Sequence, residues 1–228
     1  MEAKTISDIF DTKLRAFSGG IVMDEYEKSL YLTDAQNAYY NALLEPFEDN
    51  SLISMKLARL VTELTILTSS STSSSGGLII DLGVEVRDIL KDSVEITHTS
   101  PMHDNKVLSV VEDRLAEIQE SLNNPFRKPN LFFENAIRVI NEFGTYSKVQ
   151  IFIPAGATLK KYNATVAKKA TPIVLEALPD GLNVQGQTVV TTAFSFADSE
   201  MQEIINLAVN TAIEDSRMFA AGTKQAAT

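Results

Sequence analysis

The sequence predicts an α+β fold, in which helices from the two ends of a 228-residue chain form a bundle and a small antiparallel β-rich insertion lies between them. Three observations predict it. Apolar residues recur at three- and four-residue spacing near both termini, the pattern of amphipathic helices. Between about 130 and 196, short β-branched and aromatic runs are separated by glycine and proline, as in a small sheet. At 25.0 kDa and 44% hydrophobic, the chain can bury one core with an elaboration. The expected organisation is a single domain over 1–218, with the insertion around 130–196 and a flexible tail over 219–228.

The first helix, Thr5 to Phe17, sets Ile6, Ile9, Phe10, Leu14 and Phe17 on one face, and Ser18-Gly19-Gly20 stops it. A second helix begins at Asp24, whose carboxylate caps free backbone N–H groups while Glu27 stands three residues on, an acidic capping box. Its stripe runs through Tyr31, Ala35, Ala38 and Ala42, with Leu32, Tyr39 and Leu43 beside it, and Pro46 lies past its end. From Leu52 to Leu67 the spacing favours a third helix, although the β-branched stretch from Thr62 can also run extended. Ser69 to Gly77 is small and low in complexity, the composition of an exposed, mobile loop.

Leu78-Ile79-Ile80 reads as a short strand and Leu90 to Thr97 as another. Val107, Val111, Leu115, Ile118 and Leu122 predict an amphipathic helix over 107–122. Two prolines then force a turn through Asn124-Pro125-Phe126-Arg127-Lys128-Pro129. Ala136–Ile140, Lys148–Ile153 and Thr158–Ala167 supply the expected strands, and Thr171–Leu175 a further extended piece. The last helix starts at Ser199, paired with Gln202 in a capping box, and carries Met201, Ile204, Ile205, Ala208, Ala212 and Ile213 on one face.

Composition bounds function. Lys and Arg total 20 against 30 Asp and Glu, a net charge of −10 and the wrong sign for gripping phosphates over a broad face. Such a surface would instead let a duplex slide past. With Cys 0, disulfides, thiolate metal sites and a cysteine nucleophile are excluded. His98 and His103 flank Pro101 and, with Asp104, would be the nearest thing to a metal set; two polar loop residues are the simpler reading. Neither Gly19-Gly20 nor Gly76-Gly77 leads into the Lys-Ser or Lys-Thr of a phosphate loop. Asp8, Asp11, Asp24, Glu25 and Glu27 serve helix starts, and Lys160, Lys161, Lys168 and Lys169 read as solvated strand residues. No catalytic residue, cofactor or metal site is predicted, and the expected product is not an enzyme. The N-terminus lacks the apolar run of a secretory signal and no segment is long enough to span a membrane, so a cytoplasmic product is expected.

Four blocks carry a family resemblance. Glu27-Lys28-Ser29-Leu30-Tyr31-Leu32-Thr33-Asp34-Ala35-Gln36 resembles the "E-K-S-x-x-L-T-x-A-Q" stretch of virion proteins from crAss-like tailed bacteriophages. Asn124 to Pro129 is similar to their "N-P-F-x-x-P" turn, Pro172-Ile173-Val174-Leu175 to their "P-I-I-L" strand, and Glu203 to Val209 to their "E-I-V-x-x-A-V" ending. The blocks occur in the family's order from about Ile6 to Ser216; Thr191 to Phe196 departs, standing where the family usually has a short acidic, often Cys-containing strand.

The resemblance implies a head-to-tail connector, a neck ring or portal-adjacent adaptor. On that reading about a dozen copies close a ring around the DNA channel. Its partners would be copies of itself, the portal protein and other neck or tail ring proteins, with DNA passing without sequence-specific binding and no membrane. The assembly candidates it marks are Glu27, Lys28, Leu32, Thr33, Ala35, Gln36, Asn124, Pro125, Phe126, Arg127, Pro129, Pro172 and Ile173. The rival expectation is a scaffold or chaperone-like assembly factor that leaves the finished particle.

Overall fold

The computed structural model describes residues 1–18, 21–44, 55–67, 71–72, 76–140 and 146–225. In chain order the elements are α1 (Ala3–Ser18), α2 (Glu25–Leu44), β1 (Val61–Leu67), β2 (Ser71–Thr72), β3 (Leu78–His98), β4 (Val107–Asp113), α3 (Ile118–Asn123), β5 (Asn135–Val139), β6 (Tyr146–Phe152), β7 (Ala157–Lys168) and α4 (Asp198–Gln225). They divide into two units, one of Met1–Arg59 with Ala170–Thr228 and one of Leu60–Lys169.

The second unit overturns the predicted fold class. A helical bundle with a small insertion around 130–196 is not what forms. The sheet starts at Val61, has seven strands, and builds a core of its own. β3 pairs with β4, β4 with β5, β5 with β6, and β6 returns to β3, so four strands close a barrel. β7 lies along β3 from Val86 to His98, and β1 lies on β7. The β4–β5 pair is parallel and the others are antiparallel, so the stretch between those two strands, which includes α3, acts as a crossover. A barrel this narrow has room only for side chains, and Ile80, Val86, Val94, Ile96, Leu108 and Ile151 from its strands join Val166 of β7 in one buried core.

Closure depends on β3, which is 21 residues long and must bend to serve two neighbours. Its register against β6 shifts between Asp81 and Val86, and against β7 at three further places. Such bulges increase local twist and turn a strand. Gly83 takes φ +69° at the first shift, and Asp81 Oδ1 accepts its N–H at 2.9 Å. The strands expected at 78–80 and 90–97 are therefore one.

Two expected helices are corrected here. Val107 to Leu122 is β4 followed by the six-residue α3, and the part of Leu52–Leu67 that the structure describes ends in β1. The reason is arithmetical. A spacing of four residues keeps side chains on one face of a helix and, being even, on one face of a strand as well. Val107 and Val111 satisfy both periods, and both are exposed on the same side of β4. The loop expected over 69–77 lies mostly outside the described residues.

The first unit contains α1, α2 and α4. Ile6, Phe10 and Leu14 are buried along α1, each such burial contributing roughly 1.5–3 kcal/mol, whereas Phe17 is 69% exposed. On α4, Met201, Ile204, Ile205, Ala208, Ala212 and Ile213 are all buried, as their spacing predicts. The acidic capping box at α2 also forms: Glu27 N–H donates to Asp24 Oδ1 at 2.7 Å, and Asp24 N–H to Glu27 Oε2 at 3.2 Å. The α2 stripe differs from expectation. Ala38 and Ala42 are exposed, and the buried face carries Lys28, Ser29, Thr33 and Gln36 beside Leu32, Ala35, Tyr40 and Leu43.

Candidate functional site

A helix that buries three uncharged polar side chains must find them partners, and α2 pairs all three with an extended strap, Thr171–Leu175, of which Pro172–Leu175 is buried and which joins no β-ladder, leaving the buried Gln36 Oε1 without a hydrogen bond among the described residues. Gln36 Nε2 donates to Thr171 O at 2.9 Å. Thr33 Oγ1 accepts from Ile173 N–H at 3.0 Å and donates to Ile173 O at 3.2 Å. Ser29 Oγ accepts from Leu175 N–H at 3.0 Å while donating to Glu25 O at 2.6 Å. The spacing explains the fit: four residues of helix rise about 6 Å, and two residues of extended chain about 6.7 Å. Side chains at 29 and 33 thus meet alternate strap residues, and the longer Gln36 reaches the next.

The strap's other edge is held chiefly by Thr191, with Ser195 Oγ accepting from Thr171 N–H at 2.9 Å. Thr191 Oγ1 accepts from Val174 N–H at 2.9 Å and donates to Pro172 O at 2.7 Å, and Thr191 N–H donates to Val174 O at 2.9 Å. Pro172 has no N–H to satisfy, so it loses nothing at that position. The segment from Thr191 to Phe196 then anchors itself through Phe196, whose ring meets Tyr39 and Tyr40 edge-on at 5.5 and 5.9 Å.

Lys28, on the same helix, is 3% exposed. Its ammonium reaches Asp11 Oδ2 and Glu25 Oε1, each at 2.8 Å, and Ser7 Oγ at 3.1 Å. Burial opposes the charge, but the two carboxylates outweigh it and raise the lysine pKa. Leu32 and Ala35 are apolar core, and Glu27 is the capping partner. The structure therefore joins the Glu27–Gln36 block and the Pro172-Ile173 block into one clip.

The third block, Asn124 to Pro129, belongs to the barrel unit and follows α3 directly. Asn124 Oδ1 accepts from Phe126 N–H at 2.9 Å, and the Asn124 carbonyl accepts from Arg127 and Lys128 N–H groups at 3.2 and 2.9 Å. The backbone is pinned while Phe126 stands 79% exposed, with Arg127 and Lys128 exposed beside it. Phe132 and Phe133 follow, 84% and 51% exposed, their rings edge-on at 5.2 Å.

Residues that sequence reasoning missed include Thr191, the two phenylalanines and a buried charge. Arg138 on β5 points into the barrel at 4% exposure and pairs with Asp92 Oδ2 at 2.9 Å and with Glu112. Tyr162 OH also donates to Asp92, at 2.8 Å. Burial works against the guanidinium, but Asp92 and Glu112 more than reverse it; burial first, then Asp92, push the Tyr162 hydroxyl up. Only Arg138 carried a possible signal, as the lone charge in the apolar run Ala136–Ile140.

The remaining candidates resolve into local structure. Lys160 and Lys161 pair with Glu95 at 2.5 and 3.5 Å, and Lys169 with Glu85 at 3.3 Å. His98 and His103 meet edge-on at 5.6 Å, His98 Nδ1 accepting Ser100 N–H at 2.9 Å. Among the described residues no three His, Asp or Glu side chains are grouped to hold a metal ion, and no helix is long and apolar enough to cross a membrane. A groove of about 600 Å³ in the barrel unit is lined by Leu78, Leu122, Pro129 and the 151–159 stretch, with Lys128 its one charged group.

The sequence profile described as phage tail ring protein 3/4 matches residues 1–225. A relative described as Ring protein 3, from Bacteroides phage crAss001, is 26% identical over 203 residues, a stretch covering 82% of this chain and 84% of that protein.

Proposed function

The chain belongs to the phage tail ring protein 3/4 family of crAss-like phages, and from that premise we propose that it is a structural subunit of the neck, copies of which close a ring joining the portal to the tail around the DNA channel. The observation that carries the reading is the extent of the match, which takes in both units rather than one of them. The work is mechanical: holding shape and offering docking surfaces, with the portal and other ring proteins above and below. A ring requires head-to-tail contacts between two different surfaces of each copy. The net charge of −10 suits a bore through which DNA passes without sticking.

Imaging the necks of purified parent particles at side-chain resolution tests this. The expected result is density for this chain in a closed ring of about a dozen copies on the channel axis, with a neutral or acidic bore. Absence of the chain from purified particles by mass spectrometry, with presence in infected cells, would make it an assembly factor instead. A strongly basic bore would refute the sliding argument.

A further inference from the structure

The charge of the chain is unevenly divided. The helical unit holds 8 Lys and Arg against 17 Asp and Glu, and the barrel unit 12 against 13, which together make the 20 and 30 of the whole; nearly all of the net −10 sits on the helical unit. On the barrel unit, the turn after α3 presents Phe126, Phe132 and Phe133 to solvent with Arg127 and Lys128 among them. Neither cation makes an ion pair among the described residues. Aromatic and arginine side chains are those that dominate contact energies, and a monomer gains nothing by holding them in water.

The turn is also preorganised. Asn124 locks the backbone at Phe126, and Asn130 does the same further on, its Oδ1 accepting Phe132 N–H at 2.7 Å while its own N–H donates to Asn135 Oδ1 at 2.8 Å. A rigid backbone beneath exposed anchors cuts the entropy lost on docking. We infer that this aromatic and basic turn is a subunit contact, and that its occupant is the acidic helical unit of a neighbouring copy. Charge complementarity selects that occupant, because the barrel unit of a copy is close to neutral and offers no field to meet two cations. Exposed Asp8, Asp34 and Glu214 on the helical unit supply the opposite sign. The contact joins two different surfaces, so it propagates head to tail, as a ring requires. It rests on the ring reading above.

The test is zero-length carbodiimide cross-linking of the full chain, mixed from ordinary and nitrogen-15-labelled preparations at concentrations where it self-associates. Mixed-isotope links between Lys128 and Asp or Glu of residues 1–59 or 170–228 are expected. The exposed double variant Phe126→Ser with Arg127→Glu should keep its circular dichroism and weaken self-association at least tenfold by sedimentation, with the wild-type contact weakening as salt rises. A ring whose Lys128 links only to barrel carboxylates, or a double variant that assembles at the wild-type concentration, overturns the contact and leaves the ring. A chain that stays monomeric at every concentration overturns both.

Discussion

Replacing Thr33 by valine removes one hydroxyl and keeps the volume close to that of threonine. The hydroxyl is the partner of both backbone groups of Ile173, at 3.0 and 3.2 Å, and Thr33 is 1% exposed while Ile173 is fully buried. Each buried backbone group left unmade costs about 1–3 kcal/mol, and the added methyl returns a little under 1 kcal/mol, so for the two groups the net loss is about 1–5 kcal/mol. For a chain of this size that corresponds to a fall in Tm of about 2–20 °C. Thr33→Ser keeps the hydroxyl and loses one buried methyl, a cost of about 1 kcal/mol. Thermal unfolding followed at 222 nm orders the three proteins, and hydrogen exchange reports the Ile173 amide directly, which should lose protection in the valine variant. A valine variant within about 0.5 kcal/mol of wild type, or a serine variant less stable than the valine one, would refute the clip as a polar device.

Arg138→Met should cost about 3–5 kcal/mol, because Asp92, 6% exposed at its side chain, is left without a counter-ion; adding Asp92→Asn should recover part of that in a double-mutant cycle, and strict additivity would show the pair to be uncoupled. Gly77→Ala should destabilise by about 1–3 kcal/mol in urea, since a Cβ there meets Gln150 Nε2 at 2.6 Å and the Phe152 ring at 2.9 Å. The Glu95 and Glu134 carboxylates are held below the usual glutamate range, chiefly by hydrogen bonds from Lys160 and Lys106. Their folded pKa is the lower one, so their contribution is present above the ordinary glutamate pKa and fades as pH falls through the folded value. Carboxyl carbon shifts across an acid titration should show depressed midpoints that rise toward normal in high salt, and salt-independent midpoints would contradict ion pairing as the cause.

What the sequence made legible were elements whose signal is local. The apolar faces of α1 and α4, the Asp24–Glu27 capping box and the strands β5 to β7 follow from spacing within one segment. The barrel did not, because its closure rests on β3 bending at bulges, and a bulge breaks the alternation by which a strand is read. Val107 and Val111 misled for the same reason that makes four-residue spacing ambiguous. The polar face of α2 was invisible as a core face, since Ser29, Thr33 and Gln36 are buried only because a strap some 140 residues away supplies their partners. Thr191 has no local signal at all.

The three blocks that gave the chain its family resemblance and that the structure places in turns or clips do different physical work. Glu27–Gln36 and Pro172-Ile173 consume each other: apart from the buried Gln36 Oε1, the polar groups that mark them are spent on a helix cap, on the carboxylates around Lys28 or on the strap, and nothing of Thr33, Gln36 or Ile173 faces outward. Substitutions there act on folding and reach assembly only through it. Asn124–Pro129 is the opposite case, with its polar groups spent on shaping a turn and its large side chains left in water. A variant at Phe126 or Arg127 should therefore leave the thermal transition in place and change association, whereas a variant at Thr33 should move the transition first. If both classes shifted stability alike, the turn would be a part of the barrel's own packing and its exposure would lose its meaning as a docking surface.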